Sequence, residues 1–353
     1  MNYDLDIFLE DINSRLDNDI EQTNKKRWVD FLENRFEGDI YIPKRSRKIP
    51  PKLDWPDINI NDAIEDTDLM ILKEFKTFSD CLADGDGGRT GIRCNYGTGI
   101  IPSLFGGDLF VMPYETNTLP SVKPLGSRDK IREIIEAGVP DIKKALCGKV
   151  FETAERFLEI FDKYPSIGKH VTLYHPDTQS PIDIAELLWG SDIFLAVYDD
   201  VQLLKDILEL VTETYIKFMR AWFDLVPPKN AYMPHWNLMF KGRIMLREDS
   251  LMNLSPQTYV DLIRPHDQRI FDEFDGGCVH FCGRGDHYIE KVSELKGITA
   301  INMTQPECND VEIIFRHTVD KGIKNLGLPI RATEGLERPL QGQVHCELSK
   351  RPV

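Results

Sequence analysis

The order of its elements restricts the fold of this chain most: from about residue 64 onward, helix-like segments alternate with short strand-like ones. The helical spacing covers residues 64–82, 127–137, 149–164, 181–188, 200–223, a stretch from Ser255, then 288–295 and 310–326. Strand-like runs fall at 91–96, 169–175, 243–246, 277–282 and 298–302, with a further β-rich stretch around Gln343-Val344-His345-Cys346. Parallel strands need a long crossover between them, usually a helix, so this alternation predicts a parallel sheet. Local signals agree with it. Phe151, Ala154, Phe157, Leu158 and Phe161 share one helical face, Pro256 directly after Ser255 marks a helix start, and Asn309 or Asp310 offers a cap for the last helix. Ahead of the alternation, residues 4–36 read as helical through Leu5, Phe8, Leu9, Ile12 and Leu16. A proline-containing basic link runs from Pro43 to Pro56. In it Arg45 and Arg47 read as solvated linker charges, with contact to an anionic ligand as the sharper alternative. The expected division is an N-terminal helical extension and linker over 1–55 and a barrel-type α/β domain over 56–353. No internal repeat and no low-complexity tract interrupts it.

At 353 residues, 41% of them hydrophobic, the chain has ample material for a core of this size. A net charge of −15 and an isoelectric point near 5.1 disfavour nucleic acid or an anionic membrane as the main partner. No run reaches the roughly 18 to 20 apolar residues of a membrane span. The start, Met1 to Asp6, lacks the basic flank and apolar stretch of a secretory signal. Seven cysteines without dense spacing suit a reducing cytoplasm better than a disulfide scaffold. A cytoplasmic protein is therefore expected.

In parallel α/β folds chemistry collects in the loops after strand C-termini. There the sequence places Arg93, Asn95 and Tyr96, then His175 and Asp177, Trp236, Arg247, Asp249 and Ser250, His280 and Cys282, and Asn302. Most residues of this kind are structural, so their accumulation counts for more than any one. His280 and Cys282 are the sharpest pair: two positions apart on a strand, they share a face, and imidazole and thiolate are both zinc ligands. Cys278 shares that face about 6 to 7 Å deeper and fits core packing. A catalytic zinc needs a third protein ligand. Cys346 is the expected donor, with His345 or Cys308 next. Against this stands the ordinary use of a free cysteine as a small buried hydrophobe.

From about residue 100 to the end, four stretches resemble the uroporphyrinogen decarboxylase superfamily: Ile101-Pro102-Ser103-Leu104-Phe105-Gly106, Gln179 to Ala185, Asp249 to Pro256, and His280-Phe281-Cys282-Gly283. The resemblance implies a (β/α)8 TIM-type barrel with its pocket at the C-terminal mouth. The true decarboxylases carry a basic N-terminal signature, to which Pro43-Lys44-Arg45-Ser46-Arg47 is only loosely similar. The zinc-dependent methyltransferases of the superfamily hold their metal with a His-x-Cys pair and a later cysteine, which matches His280, Cys282 and, by order, Cys346. The expectation is transfer of a methyl group between a corrinoid (cobalamin) carried by a partner protein and a small thiol, with Zn2+ on those three residues. Arg247, Asp249 and His175 are the expected catalytic groups. Arg93, Asn95, Tyr96, Trp236, Ser250 and Asn302 are expected to bind substrate, with Tyr96, Trp236 and Phe105 lining an apolar mouth. Two alternatives stand beside this: a metal-free lyase that uses Arg93, Arg247, Asp249 and His175 as anion clamp and proton donor, and a non-catalytic corrinoid-binding protein. The oligomeric state is left open, a homodimer included.

Overall fold

A computed structural model describes residues 3–88 and 91–347. Twelve strands are present among them: β1 Ile40–Tyr41, β2 Gly91–Ile92, β3 Asp108–Phe110, β4 Ser121–Lys123, β5 Thr172–Leu173, β6 Tyr232–His235, β7 Leu238–Lys241, β8 Ile244–Arg247, β9 Gly277–Phe281, β10 Ile298–Met303, β11 Lys324–Pro329 and β12 Val344–Glu347. Six form one parallel sheet in the order β1-β12-β11-β10-β9-β8. Every residue of β8 and β9 is buried, as expected of parallel strands covered on both faces. Their alternation separates two layers. Leu246, Val279, Ile301 and Leu328 face the helices, whereas Met245, Cys278, Ala300 and Leu326 face the other way.

That second face is filled by the chain itself. The antiparallel hairpin β6–β7 lays Met233, Leu238, Met239 and Phe240 against it, and Trp28, Phe31 and Leu32 of the helix Asn18–Leu32 join the same cluster. The parallel pair β2–β5 lies beside β8, because Met245 N donates to His175 Nε2 at 3.1 Å and Ser180 N to the Arg247 carbonyl at 3.0 Å. The molecule is thus an α/β protein with a six-stranded parallel sheet and an N-terminal helical region. Among the described residues the pairings are those six strands and separate two-stranded ribbons, and a closed ring of eight is not among them.

The N-terminal region is tied in by charge and by backbone. Arg15 pairs with Asp11 at 2.9 Å, and Arg45 pairs with Glu21 at 2.7 Å, all four side chains being buried. Arg45 is therefore not a solvated linker charge; its guanidinium also reaches the Asp86 carbonyl. Arg47 does stay at the surface, beside Asp17. β1 adds a strand from this region to the sheet, with Tyr41 beside His345 of β12.

Several expected boundaries move, the strand expected over 91–96 being formed only by Gly91–Ile92, and in two places the type of element changes. Lys169 and His170 end the helix Pro165–His170, so the strand starts only at Thr172. The last expected helix stops at His317, and Lys324 to Leu326 belong to β11 instead. Both starts fit their sequence signals, since the Asp310 side chain accepts from Glu312 N and Ile313 N, and Ser255 caps Thr258 N ahead of Pro256.

Candidate functional site

β8 and β9 end side by side, with Arg247 opposite His280 in the parallel register. The chain then turns away from β8 in a short helical turn, Asp249–Asn253. Asp183, on the helix Pro181–Trp189, holds that turn by accepting from Asp249 N at 3.0 Å and Ser250 N at 2.8 Å. The Ser250 hydroxyl is committed to Glu186 at 2.7 Å. Asp249 Oδ1 is thereby set to accept from Cys282 N at 2.7 Å. Three donors converge: His280 Nε2 lies 3.6 Å from Cys282 Sγ and 3.8 Å from Asp249 Oδ1, and the three ligand atoms are all within 4.8 Å of one another. This group can hold a metal ion.

The third member is Asp249, not Cys346. Cys346 pairs beside Leu328 and packs in the helix-side core, so the parity of β12 turns its thiol away from the face that carries His280. His345 takes that face, but it accepts from Gly327 N at 3.0 Å and packs on Trp28. Cys308 is exposed and outside the group.

Asn302 settles how His280 is used. Its Nδ2 donates to the Leu326 carbonyl at 2.7 Å, which leaves Oδ1 as the acceptor 2.7 Å from His280 Nδ1. The imidazole thus carries its proton on Nδ1 and presents the Nε2 lone pair to Cys282 and Asp249, the arrangement typical of metal-ligating histidines. Burial lowers the His280 pKa, which favours that neutral ring. Burial and the Asp249 carboxylate push the Cys282 thiol up to about 11. The side chain of Asp249 is 42% exposed and that of His280 is 7% exposed, so solvent reaches the group past the carboxylate.

A buried polar cluster adjoins it on the same face of the sheet. Arg247, 2% exposed, donates to His235 Nε2 at 2.7 Å and lies 3.2 Å from Asp177. Arg93 reaches the other oxygen of Asp177 at 3.4 Å, and Gln179 donates to the first. Burial opposes ionisation of Asp177, yet Arg247 and Arg93 hold its carboxyl below the usual range. Trp236 closes the space between this cluster and the donor group, its ring 5.2 Å from the His280 ring and 5.3 Å from the Arg247 guanidinium.

Trp236 occupies the first position of the two-residue β6–β7 turn with φ +50°. That place normally favours glycine, so about 1 to 3 kcal/mol of backbone strain is held there. The sequence signal was present, since Trp236-Asn237 separates two short apolar runs, but Pro234 and the missing glycine conceal the hairpin.

Other expected site residues have structural partners. His175 Nδ1 donates to the Pro176 carbonyl at 2.9 Å while Nε2 accepts from Met245 N. Burial lowers its pKa to about 3, so His175 bridges two strands and has no proton to give near neutrality. Tyr96 is buried against Thr153 at 2.7 Å in the helix-side core, where Phe105 also packs; neither lines the mouth. Asn95 donates to Glu74 at 3.1 Å, as does the Arg93 backbone N–H. Glu248 and Asp267, absent from the sequence reading, form a fully buried carboxyl pair behind Asp249; burial raises Glu248 well above its ordinary value and Asp267 to about 7.

No protein-family model and no curated protein matches this chain. Among solved structures, a methyltransferase from Methanosarcina mazei is similar in fold, with a TM-score of 0.60 over 92% of this chain and 92% of that one, at 14% sequence identity. A likeness at that identity is one of fold.

Proposed function

We propose that this protein is a zinc-dependent methyltransferase of the uroporphyrinogen decarboxylase type, with a (β/α)8 arrangement of its sheet. In this reading it moves a methyl group between a corrinoid on a partner protein and a small thiol. The observation that carries the proposal is the convergence of Asp249, His280 and Cys282 at the ends of β8 and β9. The fold likeness to a methyltransferase supports it. The donor set fits zinc: bond lengths to sulfur, nitrogen and oxygen imply ligand-to-ligand separations of about 3.3 to 3.6 Å around a tetrahedral ion, close to the 3.6 and 3.8 Å found here.

Asp249 Oδ1, His280 Nε2 and Cys282 Sγ would hold the ion and leave a fourth place for the substrate sulfur. When bound, zinc supplies deprotonation of a thiol at neutral pH. The residues of the chain do the rest. Asn302 keeps the His280 proton on Nδ1, and Asp183 fixes the backbone that carries Asp249. Trp236 and Arg247 wall the inner side with a flat ring and a buried cation, which restricts water there and orients an acceptor toward the exposed edge at Asp249. The metal-free lyase is disfavoured, because its proton donor, His175, has both ring nitrogens bonded to neighbouring groups.

The test combines metal content with turnover. Protein purified without chelator under reducing conditions should contain about one zinc per chain and should transfer methyl from a cognate methylated corrinoid protein to a thiol, whereas the Cys282→Ala variant should do neither. Zinc binding without transfer would leave a metal site on a non-catalytic corrinoid binder. Carbon dioxide release from a porphyrinogen by zinc-free protein would replace the proposal with the lyase.

A further inference from the structure

β10 runs parallel to β9 with Asn302 opposite His280 and Met303 opposite Phe281, so the residue directly after β10, Thr304, falls beside Cys282. Asn302 and Thr304 are two apart and share a face, as His280 and Cys282 do. Each of the two donors from β9 and its end therefore has its own partner on the neighbouring chain segment. Asn302 Oδ1 accepts from His280 Nδ1, and the Thr304 hydroxyl lies 3.1 Å from Cys282 Sγ. That hydroxyl has one proton and two acceptors in reach, the sulfur and, at 3.4 Å, the Phe281 carbonyl. The carbonyl is already served by Thr304 N at 3.3 Å. A thiol can donate to the Thr304 oxygen but a thiolate can only accept, so deprotonation of Cys282 turns the hydroxyl proton onto the sulfur.

We propose that Thr304 decides which sulfur is methylated: its hydroxyl donates to the Cys282 thiolate and keeps that ligand from taking the methyl group meant for the substrate. The inference rests on the zinc-dependent methyl transfer proposed above. In that reaction two thiolates share one ion, and the thiolate is the nucleophilic form of sulfur. Burial does not protect Cys282, which is partly exposed, whereas Cys278 and Cys346 are enclosed. A hydrogen bond to a charged sulfur stabilises its lone pairs and makes it a weaker nucleophile. The single Thr304 proton serves Cys282, so the substrate sulfur keeps its full reactivity. A methylated Cys282 would be an uncharged thioether, no longer the thiolate that zinc needs, and the same hydrogen bond therefore preserves the site through repeated turnover.

Methyl iodide on the zinc-loaded whole chain tests this, with methylation of Cys282 followed by peptide mass spectrometry and the exposed Cys308 as internal reference. In the modifying step Sγ forms a bond to carbon while the carbon–iodine bond breaks and iodide leaves with its electron pair. At equal zinc content, Cys282 in Thr304→Val and in Thr304→Ala should be methylated about three- to tenfold faster than in wild type. Both variants keep the backbone bond from position 304 to the Phe281 carbonyl. Thr304→Ser, which keeps the hydroxyl, should react at the wild-type rate, a rescue that a purely structural role would not require. Equal rates in wild type and Thr304→Val at full zinc content, or a Thr304→Ser variant as fast as Thr304→Val, would overturn this role and leave the proposed function standing. A wild-type chain that takes up no zinc, or that binds zinc and transfers no methyl group, would overturn the proposed function and this role with it.

Discussion

Asn302 decides which nitrogen of His280 is available, and that choice is open to measurement. Asn302→Ala removes the acceptor at Nδ1 and frees the ring to take either tautomer. Zinc affinity should fall about 10- to 100-fold, as for other losses of a partner behind a metal-ligating histidine, read by competition with a chromophoric chelator. Cys282→Ala and Asp249→Ala should abolish tight binding, because each removes one of three donors. Cys346→Ala should leave it intact, since that thiol lies in the helix-side core. Full zinc retention by Asp249→Ala, or its loss in Cys346→Ala, would reverse this assignment of the third ligand. Two of the three donors were legible, because residues two apart on a strand share a face whatever lies beyond. The third was not. Choosing between Asp249 and Cys346 needs the parity of β12 and the turn after β8, and both are set by tertiary pairing.

Among elements, the helix Asn18–Leu32 carries a buried charge, Glu21, beside the apolar Trp28, Phe31 and Leu32 that seat it in the core. Glu21→Gln leaves the Arg45 guanidinium enclosed without its carboxylate, and breaking a buried pair in this way costs about 3 to 5 kcal/mol. Urea denaturation should show that loss, whereas Asp17→Asn, at the exposed Arg47 pair, should change stability by less than about 1 kcal/mol. The long helices and the parallel strands were readable because periodicity persists over many residues. Val201–Leu225, for example, keeps one apolar face throughout. The β6–β7 hairpin was not, because its turn places Trp236 where glycine is the usual signal. Nor was β11, whose Lys324, Asn325 and Gly327 interrupt any strand-like run. Arg45 misled for a related reason: a basic residue between prolines looks solvated until Glu21, 24 positions earlier, is folded against it.

For the whole molecule, the buried acids give stability a pH dependence of definite sign. Burial raises the Asp267 carboxyl to about 7. The folded state therefore keeps a proton that the unfolded chain loses near 4, and stability falls as pH rises from about 4 through 7. Asp267→Asn removes that slope. Its unfolding free energy relative to wild type should be higher at pH 8 than at pH 4 by about 4 kcal/mol, about three pKa units at about 1.4 kcal/mol each, measured by denaturant titration at both values. An equal difference at the two pH values would show that Asp267 is ionised alike in both states. The hairpin that fills the inner face of the sheet has a wider consequence. With Leu238, Met239 and Phe240 occupying that face and Trp236 against His280, the donor group is open on the side of Asp249. The protein is built less like a vessel than like a countertop: under the methyl transfer proposed above, the reacting groups would be handed across its edge, with the methyl group still attached to another protein.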